Sequence, residues 1–141
     1  MREILFRGKR ICENKNWVEG CLVNLDGDSG HVFIVPFFRR ASTMPICRIV
    51  EYTSHYVDPE TVGQFTGLTD KNGTKIFEGD VVRVDGENRW YSDYACRWGE
   101  GNLEFELANK KESIGLGYFA PYELEVIGNI HDNPELLEVS E

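Results

Sequence analysis

The sequence has few of the features that usually mark a chemical activity, and cysteine is the first example. None of its four cysteines stands in a Cys-x-x-Cys pair; they are Cys12, Cys21, Cys47 and Cys96. Because zinc sites usually use closely spaced ligands, this spacing argues against a metal site. We expect reduced thiols that mostly pack as small apolar groups.

Long hydrophobic runs are also absent. No segment approaches the roughly 20 apolar residues that a membrane-spanning helix needs. The first residues, Met1–Arg7, lack the apolar core of a signal peptide. We therefore expect a cytoplasmic protein with no membrane partner.

Positive charge is scarce. The chain has 15 Lys and Arg residues against 24 Asp and Glu residues, which gives a formal charge of −9. A large phosphate-binding surface needs a local excess of basic side chains, so extensive binding to nucleic acid is disfavoured. A small basic patch and an acidic surface that imitates DNA are both compatible with this composition, although solubility is the simplest role for the acidic excess.

The most regular part of the sequence extends from Thr61 to Val84. It contains three short runs of β-branched and aromatic residues, separated by Asp70–Gly73 and Glu78–Asp80. The first separator has the composition of a hairpin loop, and the second predicts a tight corner. The stretch therefore predicts three strands and two turns, in which Asp and Gly serve structure rather than catalysis.

Strand-like segments flank this stretch, and helical signals are weak. Asp58–Thr61 predicts a single helical turn, because Asp caps and Pro starts a helix that the following glycines cannot continue. Asp132–Leu137 predicts a short helix by similar signals. We predict an all-β protein with one or two helical turns, composed of an N-terminal β-meander at residues 1–56 and a C-terminal barrel-like unit at residues 57–141.

Candidate catalytic groups are not arranged in any recognisable pattern. Leu103–Leu107 alternates strictly, which predicts one buried face and one wet, acidic face that carries Glu104 and Glu106. None of the histidines marks a triad with a cysteine; they are His31, His55 and His131. We therefore expect no enzyme activity, no cofactor and no metal.

The most aromatic segment of the chain is the strongest candidate for a binding site. Aromatic and Arg side chains are enriched at protein interfaces, and they also form stacking platforms for single-stranded nucleic acid. The segment supplies Arg89, Trp90, Tyr91, Tyr94, Arg97 and Trp98, and a smaller cluster supplies Phe38, Arg39 and Arg40. In the alternative interpretation, alternate members of the long segment fill the interior, and the smaller cluster is core aromatic beside solvent-directed Arg.

Three blocks of sequence, at both ends and in the middle, are distinctive enough to compare with known families. They are Met1–Arg7 with Trp17 and Glu19-Gly20 downstream, a middle block made of Thr61–Leu68, Asp70–Gly73 and Ile76–Val81, and Ile127–Leu137. Together they resemble the YopX family of bacteriophage and prophage proteins, whose biochemical role is not established. The resemblance implies a mostly β protein with a barrel in its C-terminal half, encoded by a phage or prophage, and it supplies no catalytic residues.

From these observations we expect a non-enzymatic accessory protein of a phage or prophage. Its partner is expected to be a host or phage protein, bound through the aromatic segment and the Phe38–Arg40 cluster. The alternative is a protein associated with nucleic acid, or an acidic DNA mimic. Exposed sheet edges and aromatic surface are compatible with a homo-oligomer, so the oligomeric state is left open.

Overall fold

A computed structural model of the chain describes residues 2–12, 14–24, 32–36, 54–85 and 92–138. These residues form two antiparallel sheets and one four-residue α-helix, so the prediction of a mostly β protein is confirmed. The chain divides into two compact units, Met1–Gln64 and Phe65–Glu141.

The first unit is built from four strands in chain order. They are β1 (Phe6–Lys9), β2 (Trp17–Asn24), β3 (Val32–Val35) and β4 (His55–Val57), followed by a 3-10 helix (Pro59–Thr61) and the start of β5 (Gly63–Thr69). The opening residues of β5 pair with the free side of β1. The sheet also curls back, because the chain just after β1 reaches β4, where Ile11 N–H donates to the carbonyl of Tyr56 at 3.2 Å.

The core of the first unit is small and depends on close packing between strands. Val32, Ile34 and Val57 are buried, and partly buried apolar side chains pack around them. Gly20 of β2 faces the backbone of β3, where an added Cβ would lie 2.0 Å from the carbonyl oxygen of Val35. No side chain fits that space, so glycine is required there.

The predicted helical turn is confirmed as the 3-10 helix at Pro59–Thr61. The Asp58 carboxylate accepts a hydrogen bond from the N–H of Glu60 at 3.0 Å, as expected of a cap. The buried hydroxyl of Thr61 donates to the carbonyl of Asp58 at 2.7 Å and accepts from the N–H of Lys9 at 2.8 Å. Thr61 thereby fastens the turn to the end of β1.

The second unit contains the rest of β5 and the remaining elements. These are β6 (Lys75–Phe77), β7 (Asp80–Val84), β8 (Ser92–Gly99), β9 (Glu104–Ala108), β10 (Ser113–Gly115), 3-10 helices at Leu116–Tyr118 and Pro121–Glu123, β11 (Leu124–Asn129) and α1 (Glu135–Glu138). β5, β6 and β7 are the three strands predicted in the central stretch, and α1 is the predicted C-terminal helix. Five strands form a sheet in the order β10-β9-β8-β7-β11.

The main core of the second unit lies on one face of this five-stranded sheet. Its buried side chains are Ile76, Val82, Val84, Tyr94, Cys96, Leu107, Leu116, Phe119 and Leu124. On the other face, α1 packs against β8. Gly128 of β11 lies close to this helix, since an added Cβ would be 2.9 Å from Cδ1 of Leu136.

The described strands do not close into a barrel, so the predicted barrel-like unit is not confirmed. β10 ends the five-stranded sheet on one side. On the other side, the outer edge of β11 is met by a loop rather than by a strand. Lys71 N–H donates to the carbonyl of Leu124 at 3.0 Å, and the Asp70 carboxylate accepts from the N–H of Val126 at 2.9 Å. The loop therefore occupies the positions that the next strand of a barrel would take.

Asp70 is the buried anchor of this loop. Its carboxylate also accepts hydrogen bonds from the N–H groups of Asn72 and Thr74, each at 2.9 Å. Burial alone would raise the pKa of Asp70, but the hydrogen bonds from Val126, Thr74 and Asn72 and the charge of Lys71 outweigh it and lower the pKa. The carboxylate is thus held ionised while it joins the β5–β6 loop to β11.

Candidate functional site

The described part of the predicted aromatic site lies on β8. It contains Tyr94, Arg97 and Trp98, whereas the other candidates lie outside the described residues, namely Arg89, Trp90, Tyr91, Phe38, Arg39 and Arg40. Side chains alternate along a strand, so Tyr94 and Trp98 share one face of β8 and Arg97 lies on the other. These three residues therefore do not form a single surface.

Tyr94 belongs to the core. Its ring is buried, and its hydroxyl donates a hydrogen bond to the carboxylate of Glu112 in the turn between β9 and β10. A partner cannot reach this ring, which corrects the inclusion of Tyr94 among the binding residues. At this position the alternative interpretation, in which alternate members of the segment fill the interior, describes the structure.

Arg97 is exposed, but its charge is used within the hairpin of β8 and β9. Its Nε donates to Oε1 of Glu106 at 2.7 Å, and the two residues are opposite each other across the strands. Glu106 is buried, which corrects the prediction of a wet acidic face at this position. Gly99 provides the room for it, because an added Cβ would lie 2.6 Å from Oε2 of Glu106.

Of the two predicted aromatic residues that the structure describes, Trp98 is the one that is open to a partner. It is 43% exposed and lies opposite Phe105, with the two rings edge-to-face and their centroids 5.0 Å apart. The adjoining turn carries Leu103, which is 72% exposed and has a positive φ of 54°. This corrects the prediction that Leu103 belongs to a buried strand face. We call Trp98, Leu103 and Phe105 the hairpin end.

Two members of the hairpin end were not among the predicted site residues. The signal that could have found Phe105 is the Gly99–Asn102 run, whose composition marks a turn between two strand-like segments. Folding the chain about that turn places Trp98 opposite Phe105. The exposure of Leu103 has no comparable signal, because strict alternation assigns it to the strand.

The acidic excess of the chain belongs to the second unit. Residues 65–141 carry 16 acidic and 7 basic side chains, a balance of −9, whereas residues 1–64 carry eight of each. Close to the hairpin end, Glu100 lies exposed in the turn. Glu104 begins β9, but its carboxylate lies on the sheet face opposite Phe105, close to Gly115 of β10. Within the described ranges, neither of these two carboxylates has an ion-pair partner.

Other chemistry-bearing side chains do not gather into a site in the part of the chain that the structure describes. No group of three His, Cys, Asp or Glu side chains there could hold a metal ion. Cys96 is buried as expected, but Cys12 and Cys21 are exposed, which corrects the expectation of packed thiols for those two. Among these same residues, no helix is long and apolar enough to cross a membrane.

Comparison with known proteins gives the class of the chain. The family described as YopX protein matches residues 5–138. The chain therefore belongs to the YopX family, as its sequence blocks indicated.

The fold is also similar to that of a protein of known structure, protein EF1440 from Enterococcus faecalis. That crystal structure shares 25% sequence identity with this chain at a TM-score of 0.63, and the match covers 97% of this chain and 99% of the other. No curated protein matches the chain.

Proposed function

We propose that this YopX-family protein is a non-enzymatic accessory protein of a phage or prophage that binds a host or phage protein through the hairpin end. The observation that carries the proposal is the half-exposed Trp98, held edge-to-face by Phe105 beside the exposed Leu103. Tryptophan is among the residues that most often dominate the energy of protein interfaces. Large apolar side chains exposed on neighbouring parts of a hairpin are a common mark of an interaction site.

The packing of Trp98 suits it to the role of an anchor. Because Phe105 already restricts the indole ring, binding costs little additional side-chain entropy. The exposed part of Trp98 amounts to roughly 100 Å² of a side chain that buries up to 250 Å² in interfaces. Covering it stabilises a complex by about 2.5 kcal/mol at the usual value per unit of apolar area.

A protein partner is favoured over nucleic acid by the charges around the hairpin end. Nucleic-acid surfaces need basic side chains directed at phosphates. Near the hairpin end, Arg97 is paired with Glu106, and Glu100 in the turn adds negative charge. Nucleic-acid association is therefore an outcome that the experiment must separate from protein binding.

The proposal is tested by affinity capture from the bacterial host, with wild-type protein and Trp98→Ala as baits. We expect at least one partner whose affinity falls about 30-fold with Trp98→Ala, corresponding to a loss of about 2 kcal/mol. Nuclease treatment of the extract distinguishes a protein partner from one held through DNA or RNA. Circular dichroism and thermal melting check that the variant remains folded.

Tyr122→Ala is the matched control, because Tyr122 is a 75% exposed aromatic residue of the same unit. Tyr122 lies just before Leu124 of β11, near the end of β8 that begins at Ser92. Leu124 pairs with Val84, and Val84 pairs with Ser92. Trp98 lies six residues further along β8, or about 20 Å away at the usual strand rise. Identical partner lists for wild type and Trp98→Ala, or equal losses in both variants, would contradict the proposal.

A further inference from the structure

We infer that the hairpin end takes a basic segment of its protein partner, in which an Arg or Lys side chain packs on the exposed part of the Trp98 ring. The inference rests on the proposed function and specifies the chemistry of the partner. It follows from the charges of the second unit, the ion pairs already formed within it, and the properties of the indole ring.

The charge of the second unit is the first argument. Its balance of −9 attracts a basic partner over a distance of about one Debye length and speeds the encounter. In the turn of the hairpin end, Glu100 has no ion-pair partner among the described residues, so its charge is available. Arg97 does not offset it, because its guanidinium is paired with Glu106.

The other described cations of the second unit are engaged or distant. Lys71 pairs with Glu125 at 3.2 Å, and Arg83 pairs with Asp93 at 2.9 Å. The ammonium of Lys75 lies 5.4 Å from the centroid of the Phe65 ring. Lys110–Lys111 lies in the turn after β9, at the far end of that strand from the hairpin end. The strand rise puts that turn about 20 Å from Glu104. The hairpin end is therefore acidic in its immediate surroundings.

The indole ring supplies the second argument. Tryptophan is the best aromatic acceptor of a cation, and Arg pairs with it more often than Lys does. The chain itself makes this contact elsewhere, since the guanidinium of Arg7 lies 4.8 Å from the centroid of the Trp17 ring. Trp98 has no such cation among the described residues, and 43% of it is exposed.

A second copy of this chain is a poorer occupant than a basic peptide. Two second units would approach each other with the same negative charge, and like charges across an interface are unfavourable. A neutral apolar peptide would cover Trp98 and Leu103 but would leave the charge of Glu100 without compensation. The basic segment satisfies both the apolar and the charged parts of the surface.

The test is selection of peptides from a random phage-display library against the full-length protein, followed by affinity measurements on synthetic copies of the enriched peptides. We expect enriched peptides that contain Arg or Lys and bind Trp98→Ala about tenfold more weakly. Their affinity should fall as salt is raised from low to physiological concentration. Glu100→Gln should weaken binding and flatten the salt dependence, whereas Tyr122→Ala should change neither.

The outcomes separate the inference from the proposed function. Enriched peptides that require Trp98 but are neutral or acidic would overturn the basic partner and leave a protein-binding hairpin end in place. Failure to enrich any Trp98-dependent peptide would overturn the inference, while affinity capture from the host would still decide the proposed function. Basic peptides that bind the Trp98→Ala variant equally well would place their site elsewhere and would also overturn the inference.

Discussion

Replacing Asp70 with Ala should detach the β5–β6 loop from β11 and destabilise the second unit. The substitution removes the acceptor of three backbone N–H groups, those of Asn72, Thr74 and Val126. Asp70→Asn retains one acceptor oxygen but presents an amide N–H₂ where the carboxylate had a second oxygen. The Asn variant should therefore fall between Ala and wild type.

The magnitude follows from the surroundings of each donor. A hydrogen bond to a charged group contributes about 1.5–3 kcal/mol, and leaving a buried donor unpaired costs about as much. Asn72 and Thr74 are exposed, so water can replace the carboxylate at their N–H groups. Val126 is only partly exposed, so its N–H is the most costly to leave unpaired. We expect Asp70→Ala to lower the free energy of unfolding by about 3 kcal/mol, and Asp70→Asn by about half of that.

The assay is urea unfolding, followed by circular dichroism at a series of pH values. The pKa of Asp70 in the folded protein lies below its ordinary value of 3.8. Its contribution is therefore complete above about pH 5 and is lost as pH falls through the lowered pKa. The difference in stability between wild type and Asp70→Asn should be largest at neutral pH and should shrink as the solution is acidified.

Asp85→Asn provides the control. Asp85 is an exposed carboxylate in the same unit, just after β7, and its substitution should change the free energy of unfolding by less than about 0.5 kcal/mol. A loss below 1 kcal/mol for Asp70→Ala, or a difference between wild type and Asp70→Asn that does not depend on pH, would refute the role assigned to this carboxylate.

Two further predictions concern Gly20 and His55 of the first unit, and the control for the first, Gly101, lies in the second unit. Gly20→Ala should lower the free energy of unfolding by about 2–3 kcal/mol, because the new methyl group would collide with the carbonyl of Val35. Gly101 has open space around it, so Gly101→Ala should leave the free energy of unfolding nearly unchanged in the same urea titration. The imidazole of His55 should titrate by NMR with a midpoint below 6.5, because burial and then the charge of Arg10 lower its pKa. His55 therefore contributes stability in full above about pH 6.5, and this contribution is lost as pH falls through the lowered pKa; a midpoint at or above 6.5 would contradict that assignment.

Local structure was predictable from the sequence wherever a few adjacent residues determine it. Asp58 and Pro59 specify a helical turn by themselves, and the turn is present with its cap. The loop from Asp70 to Gly73 needs a residue that tolerates positive φ, and Gly73 has a φ of 79°. The same holds for the corner at Gly79, whose φ is 90°. These signals are contained within four or five residues, so no knowledge of the fold is required.

Features that depend on pairing between distant strands were predicted poorly. The alternation of Leu103–Leu107 predicts an exposed Glu106, but the carboxylate is buried because Arg97 and Gly99 lie beside it on the neighbouring strand. A barrel was expected for the second unit, yet the edge of β11 is met by Asp70, which is 56 residues earlier in the chain. Neither relation is visible until the register of the sheet is known.

In the candidate site, too, part of the answer was visible in local sequence and part depended on the fold. Trp98 was predicted as a binding residue from composition alone, and its exposure is compatible with that role. Tyr94 has the same composition signal and lies on the same face of β8, but at a position where other core side chains pack over that face. Composition can therefore nominate an aromatic segment, and the position along β8 decides which of its rings a partner can reach.

The pairing of β1 on both sides has a consequence for how the protein emerges from the ribosome. One side of β1 meets β2 within about a dozen residues, where Lys9 pairs with Trp17. The other side can pair only after Gly63 and Gln64 have been synthesised, because these residues pair with Arg7 and Phe6. During that interval the nascent first strand carries an unfilled row of backbone donors and acceptors, which is the kind of edge that recruits other chains. The hairpin of β1 and β2 is therefore most vulnerable to mispairing during one period of synthesis. That period ends when Gly63 and Gln64 become available to pair with β1.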